Sequence, residues 1–290
     1  MISGWKYYII TCSDLEAKVA EENLQDLAST NLSLKFTLRN INLKFRNALG
    51  LNKEVRAAFE RREKEGLDGI PVFIISFNRL SYLSRLIESL ERVGIRNIHI
   101  IDNASTYPPL LEYYKKTPYD VIYVGENLGA RVFWKSKIFD KYRNDFYVVT
   151  DSDLELVEDC PSDLIGFLFR ILKKFPFVRK VGVSLKIDDI PEDSVLGSDV
   201  KQWESQFFKA PIRNANAYYA SVDTTFAIYL PDHLAEGIPF LRAIRAAWPY
   251  QARHLPWYKK TGDISEEDEY YSSHRSNGWW DIAKGEITPD

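Results

Sequence analysis

Between Ile70 and Thr150 the chain repeats one pattern, a short apolar run followed by an amphipathic stretch, and this alternation restricts its fold more than any other feature. "IPVFIISF" is a strand of the kind buried on both faces. "SYLSRLIESLERVG" sets Leu83, Ile87 and Leu90 on one helical face and stops at a glycine. "NIHIID" is a second strand, "PPLLEYYKK" a helix opened by proline, "DVIYV" a third strand, "ARVFWKSKIFDKY" a helix and "DFYVVT" a fourth strand. Strands joined through helices by short links run parallel, with right-handed crossovers, so an α/β fold with helices flanking the sheet is expected. No G-x-G-x-x-G follows the first strand and no G-x-x-x-x-G-K-[ST] occurs anywhere, which sets aside dinucleotide and P-loop sites.

The fourth strand runs straight into Asp151-Ser152-Asp153. In an open α/β sheet the carboxyl ends of the strands border the ligand crevice. Two carboxylates this close repel one another and resist leaving water, so both stay ionised in a cleft when a cation joins them. Carboxylate oxygens suit Mg²⁺ or Mn²⁺, and Mg²⁺ is commonly shared between protein carboxylates and substrate phosphates. A solvated turn in which Asp151 caps a backbone amide is the simpler alternative for so short a triplet. The other strands end in polar groups as well: Ser76, Asn78 and Arg79 after the first, Asp102, Asn103 and Ser105 after the second, and Glu126, Asn127, Gly129 and Arg131 after the third. Turn chemistry accounts for any one of these, but their convergence on a single edge fits a nucleotide better.

"IPVFIISFNR", "IIDNAST", "GENLGAR" and "VVTDSDLE", in this order and at these intervals, resemble the amino-terminal half of a GT-A-fold glycosyltransferase, most similar to family 2 enzymes. The resemblance covers about residues 70–155 and implies a mixed, Rossmann-like sheet that binds a nucleotide-diphosphate sugar, here expected to be UDP-linked. Position by position it implies that Ser76, Asn78, Arg79, Asp102 and Asn103 meet the nucleoside, that Asn127, Arg131 and Ser152 line the donor pocket, and that Asp151 and Asp153 face Mn²⁺ or Mg²⁺. His254, late in the chain in "QARHLPWYKK", is where such enzymes often take a further metal ligand; a lone histidine is as readily a hydrogen-bonded structural residue.

Residues 156–290 should then supply the acceptor site for a glycan, a glycolipid or another hydroxyl compound, and a base if the transfer inverts. Asp223, in "YYASVDTTFAIYLP", precedes an apolar strand pattern at an interval where several inverting GT-A enzymes carry their carboxylate. "SEEDEYY" offers Glu267 and Asp268 as rivals, against which stands a plain capping role, since Ser265 followed by acidic residues is a helix start. Among many aromatics in this half, Trp203, Trp257 and Tyr258 are the expected sugar contacts, an apolar face beside a polar edge. An apolar strand ending in D-x-D also opens haloacid-dehalogenase-type phosphatase sites, although here the motif follows the fourth strand and Glu155 stands where that fold usually has Thr or Val. A sugar-nucleotide-binding protein without turnover is the other alternative.

Composition bounds the rest. The chain has 290 residues, 45% hydrophobic and 27% charged, with a net charge of -3, so nothing marks a nucleic-acid partner. Two cysteines, Cys12 and Cys160, are too few for a disulfide framework. With no apolar run of about 18 residues and no secretory pattern in "MISGWKYYIITCSDLEAK", a cytoplasmic setting is expected. Residues 1–69 read as a mainly helical appendage. Within it "NLSLKFTLRNINLKFRNALG" combines Leu34, Leu38, Ile41 and Phe45 with Lys35, Arg39, Lys44 and Arg46, a pattern for contact with a membrane surface, a second subunit or the main domain, and one whose alternation also fits a strand.

Overall fold

A computed structural model describes residues 53–175, 178–231, 243–260 and 262–275, together with the backbone at 280–281 and 286–287. The basic, apolar stretch before residue 53, and with it Cys12, lies outside these residues. Elements follow in the order α1 (Lys53–Glu65), β1 (Val72–Ser76), α2 (Leu80–Arg92), β2 (Ile98–Asp102), α3 (Pro108–Tyr114), β3 (Asp120–Tyr123), a 3₁₀ turn (Gly129–Arg131), α4 (Val132–Lys135), α5 (Ile138–Tyr142) and β4 (Tyr147–Asp151). The second half contains β5 (Leu154–Leu156), α6 (Leu164–Lys174), β6 (Lys180–Gly182), β7 (Ser184–Leu185), α7 (Gly197–Glu204), β8 (Pro211–Ile212), β9 (Ala217–Tyr218), β10 (Ala227–Tyr229), β11 (Ala243–Ala246), β12 (Gln251–His254), α8 (Glu266–His274), β13 (Trp280–Asp281) and β14 (Glu286–Ile287).

The large sheet has the order β3-β2-β1-β4-β10-β6-β11-β9-β8. Strands β3, β2, β1 and β4 are parallel, as their helical connections require, and β10 enters antiparallel between β4 and β6. The expected α/β architecture, a large mixed sheet flanked by helices, is therefore present. Its central strands β1 and β4 are buried on both sides: Ile74 and Val148 join one core layer with Leu83, Leu86, Leu168 and Ile171, while Phe73, Tyr147 and Val149 join the other with Phe133 and Phe139. Period-two alternation along β1 and β4 divides the side chains between these layers. Helix α2 buries Leu83, Leu86, Ile87 and Leu90 and ends at Gly94, whose φ of 85° favours glycine.

Two features depart from the sequence expectations. The segment after β3 is not one helix, because Ser136 is extended (φ -89°, ψ 170°) and its hydroxyl accepts from the Ile138 amide, restarting the chain as α5. Helix α1, expected within an appendage ending at residue 69, packs into the core instead. Ala58 is buried, and the Phe59 ring lies 4.7 Å from Phe146 and 5.1 Å from Phe169. Arg62 reaches Asp145 just before β4 at 2.8 Å. A second, three-stranded sheet, β5-β12-β7, lies beside the large one and bears directly on the site.

Candidate functional site

Register alone assembles the first part of the site. Ser76 pairs with Asp102 across β1 and β2, and Ile75 pairs with Asp151 across β1 and β4, so three of the expected strand ends share one edge. The segment leading into β10 closes over Asp151: its amide donates to the Thr224 carbonyl at 2.8 Å, and the Thr224 hydroxyl donates to its Oδ2 at 2.5 Å. Burial and the charges of Asp153 and Asp223 push the Asp151 carboxyl well above its ordinary pKa, with the Thr224 hydroxyl pulling the other way. Thr224 was not singled out from sequence; its only signal is its place next to Asp223.

The small sheet delivers the second part. Strand β12 pairs antiparallel with β5, His254 opposite Leu154, so the imidazole arrives beside Asp153 with Nε2 at 3.4 Å from Oδ2. Burial lowers the His254 pKa, which keeps the ring in the neutral form that can ligate a metal, although the Asp153 charge works upward. Asp153 Oδ1 and His254 Nδ1 are buried without a hydrogen-bond partner. Arg79, itself 6% exposed, approaches the same Asp153 oxygen, Oδ2, at 3.8 Å and lies over the Tyr271 ring at 3.8 Å.

Several expected nucleoside residues shape the loops. Asn78, at φ 50°, accepts the Thr106 and Tyr107 amides at 2.7 and 3.0 Å and so ties the β1 loop to the β2 loop. Asp102 accepts the Ser105 amide at 3.1 Å, and Ser76 receives the Tyr114 hydroxyl at 2.9 Å. Asn103 donates to Asn127 Oδ1 and accepts from the Leu128 amide, both at 2.9 Å, which anchors the exposed Asn127 and the turn bearing Arg131. Asn78 Nδ2 is buried and unpartnered, a donor left over for a ligand. Ser152 is buried between the two aspartates.

The late acidic residues are held differently from the expectation of a free base. Glu267 accepts from the Leu80 amide at 2.6 Å and from the Ser81 amide at 3.0 Å, and also takes the Ser81 hydroxyl. It therefore caps α2, whose own N-cap residue, Arg79, makes no side-chain cap. Asp268 completes a capping box with Ser265, receives Lys259 at 3.0 Å and faces Arg79 at 3.8 Å. Both carboxylates are thus occupied in joining α8 to the site's edge.

Asp223, by contrast, is exposed at the lip of β10. A Cβ at Gly182 would come within 2.7 Å of Val222, so glycine lets the segment before β10 lie directly against β6. The charge of Asp223 acts on Asp151, His254 and Glu204. The expected sugar contacts are less accommodating. Trp257 is 3% exposed and packs beneath the His254 ring at 4.5 Å, so its faces are covered. Tyr258 spends its hydroxyl on Asp189 at 2.6 Å and on the Lys186 carbonyl at 3.0 Å. Trp203 meets Phe207 edge to face at 5.8 Å on α7.

Asp151, Asp153 and His254 offer the oxygen and imidazole donors that Mn²⁺ or Mg²⁺ accepts: Asp153 Oδ1 is without a hydrogen-bond partner, and the neutral His254 ring turns Nε2 toward Asp153. Among the described residues no three such groups already converge into a cage, so an ion here would draw further ligands from substrate oxygens. No helix among the described residues is long and apolar enough to cross a membrane.

No family model and no curated protein matches the sequence. Solved structures do. S. aureus TarS is similar at 15% identity over 74% of this chain and 41% of its own length, with a TM-score of 0.38. S. aureus TarS 1-349 in complex with UDP is similar at 15% identity over 43% of this chain and 39% of its own, with a TM-score of 0.31. Glucosyl-3-phosphoglycerate synthase from Mycobacterium tuberculosis, in complex with Mn²⁺, UDP and phosphoglyceric acid, is similar at 13% identity over 56% of each chain, with a TM-score of 0.35. This chain spans less than two thirds of the length of each. Likeness at this level carries no argument about the site, whose chemistry rests on its own geometry.

Proposed function

We propose that this chain is a glycosyltransferase that takes a sugar, hexosyl or pentosyl, from a UDP-linked donor and passes it to a hydroxyl of a glycan, glycolipid or similar acceptor. The carrying observation is the pair Asp151 and Asp153 at the carboxyl edge of the parallel strands, with His254 3.4 Å from Asp153. Ser76, Asn78, Asp102 and Asn103 frame the nucleoside side of that edge, and Asn127 and Arg131 border the donor. Asp151, Asp153 and His254 would hold Mn²⁺ or Mg²⁺, which when bound stabilises the departing diphosphate as a Lewis acid. Asp223 takes the proton of the acceptor hydroxyl, the acceptor oxygen bonds to the anomeric carbon and the bond to the diphosphate breaks, with inversion. Glu267 and Asp268 are less suited to that proton because each already accepts several hydrogen bonds.

Calorimetry with UDP, with and without Mn²⁺, tests the proposal. Binding should be metal-dependent and should weaken at least about tenfold in Asp153→Ala, as expected when one charged ligand is lost. Equal affinity after chelation, or in the variant, would return the D-S-D triplet to a structural turn.

A further inference from the structure

Arg79 stands at the junction of β1 and α2, extended (φ -134°, ψ 100°) as the residue before the helix. Its backbone is fixed from both sides, because Asn78 is tied to the β2 loop and Glu267 binds the Leu80 and Ser81 amides. The side chain runs inward, with the guanidinium over the Tyr271 ring at 3.8 Å and over the Tyr82 ring at 4.9 Å. Two aspartates flank it: Asp153 Oδ2 lies 3.8 Å from Nη1, and Asp268 Oδ1 lies 3.8 Å from Nη2. Both distances are too long for hydrogen bonds, and Nε is buried without a partner. Ring faces and shared charge hold this guanidinium, and no directional contact commits it to either carboxylate.

That sharing matters at the D-S-D triplet. Among the described residues no other arginine or lysine comes within 4.0 Å of the Asp151 or Asp153 carboxylate, and His254, on the same Asp153 oxygen at 3.4 Å, carries no permanent charge. Arg79 is thus the fixed counter-charge of Asp153. A divalent ion on Asp153 supplies the same charge, and two cations drawn to one carboxylate repel each other. We infer that Arg79 is a positioning residue that competes with Mn²⁺ or Mg²⁺ for Asp153 and is drawn off by Asp268, so that helix α8 helps set the affinity of the metal site. The inference rests on the metal site proposed above and adds the regulation of that site. The resemblance of the sequence assigned Arg79 to the nucleoside; its contacts are instead with Asp153, Asp268 and two tyrosine rings. Linkage makes the effect reciprocal: whatever strengthens the hold of Asp268 on the guanidinium favours the metal, and the metal favours that hold.

The test is a calorimetric titration of the full chain with Mn²⁺, alone and with UDP present. Arg79→Met, whose side chain can pack against the same Tyr82 and Tyr271 rings, should bind Mn²⁺ at least about fivefold more tightly, and Arg79→Gln should move the same way. Arg79→Lys keeps the charge and should stay within about twofold of the unaltered chain. Asp268→Asn leaves Asp153 as the one carboxylate facing the guanidinium. It should weaken Mn²⁺ at least about threefold beside Arg79 but less than about twofold in Arg79→Met, the non-additivity of residues that act through one another. Mn²⁺ affinity unchanged or weakened in both Arg79→Met and Arg79→Gln overturns the competition. Tightening in Arg79→Lys as large as in Arg79→Met shows a packing effect and overturns it too. An equal loss from Asp268→Asn in both backgrounds overturns the link to α8. If the unaltered chain binds no Mn²⁺ with or without UDP, the metal reading falls and this inference with it, whereas Mn²⁺ binding indifferent to Arg79 removes the inference alone.

Discussion

Glu204→Ala should be among the most destabilising single substitutions in the second half of the chain. Glu204 on α7 and Arg245 on β11 meet at 2.6 Å with side chains only 4% and 3% exposed. Removing one partner of such a pair leaves the other charge buried, at a cost of about 3–5 kcal/mol. Arg245 keeps two further contacts, the Ser221 carbonyl at 2.5 Å and the Phe207 ring at 4.0 Å, so the lower end, about 3 kcal/mol, applies. Arg245→Ala should cost less as the pH falls, because burial already raises the Glu204 pKa against the pull of Arg245 and the stranded carboxyl can take up a proton. Urea unfolding followed by tryptophan fluorescence measures both variants and the double variant. The cycle should show a coupling of about 2 kcal/mol, since the double variant leaves no unpaired charge. A loss below about 1 kcal/mol for Glu204→Ala, the value of an exposed pair, or an additive cycle would refute the buried pairing. The pair also bears on the site, because Arg245 holds the Ser221 carbonyl two residues before Asp223.

Asp223→Asn keeps the shape of the side chain but removes the base, and steady-state transfer should fall about 10²- to 10⁴-fold with UDP affinity unchanged; near-normal turnover would remove Asp223 from the mechanism. Asp268 supplies the pH prediction. Burial raises its pKa, but hydrogen bonds from Ser265 and the charge and hydrogen bond of Lys259 outweigh that and hold it below the ordinary 3.8. A carboxyl depressed on folding stabilises the native state above its unfolded pKa and loses that contribution as pH falls through the folded value. Asp268→Asn should therefore lower stability at pH 7 and flatten the acid limb below about pH 4, measured by urea unfolding across pH 3–7; coincident acid limbs for both proteins would contradict it.

The local signals were legible because they are periodic. A buried strand needs only a continuous apolar run, so "VFIIS" and "YVVT" declared themselves, and the face of α2 followed from Leu83, Ile87 and Leu90. The break at Ser136 did not, since one extended serine between two apolar turns leaves the helical period almost intact. Nor did the packing of α1, whose sequence is polar apart from Val55, Ala57, Ala58 and Phe59, and whose place depends on the Phe146 and Phe169 rings it meets.

What the sequence determined by itself was the succession of strands and helices and the landing of Asp151 and Asp153 at a strand's end, because both follow from the spacing of apolar residues along one segment. Tertiary structure decided what those carboxylates meet. Sheet pairing set His254 beside Asp153 and Thr224 on Asp151. Packing of α8 against α2 gave Glu267 the amides at the start of α2, 187 residues away. A carboxylate's partners depend on which distant strand or helix lies next to it and in what register, which is not written in the periodicity of a single segment.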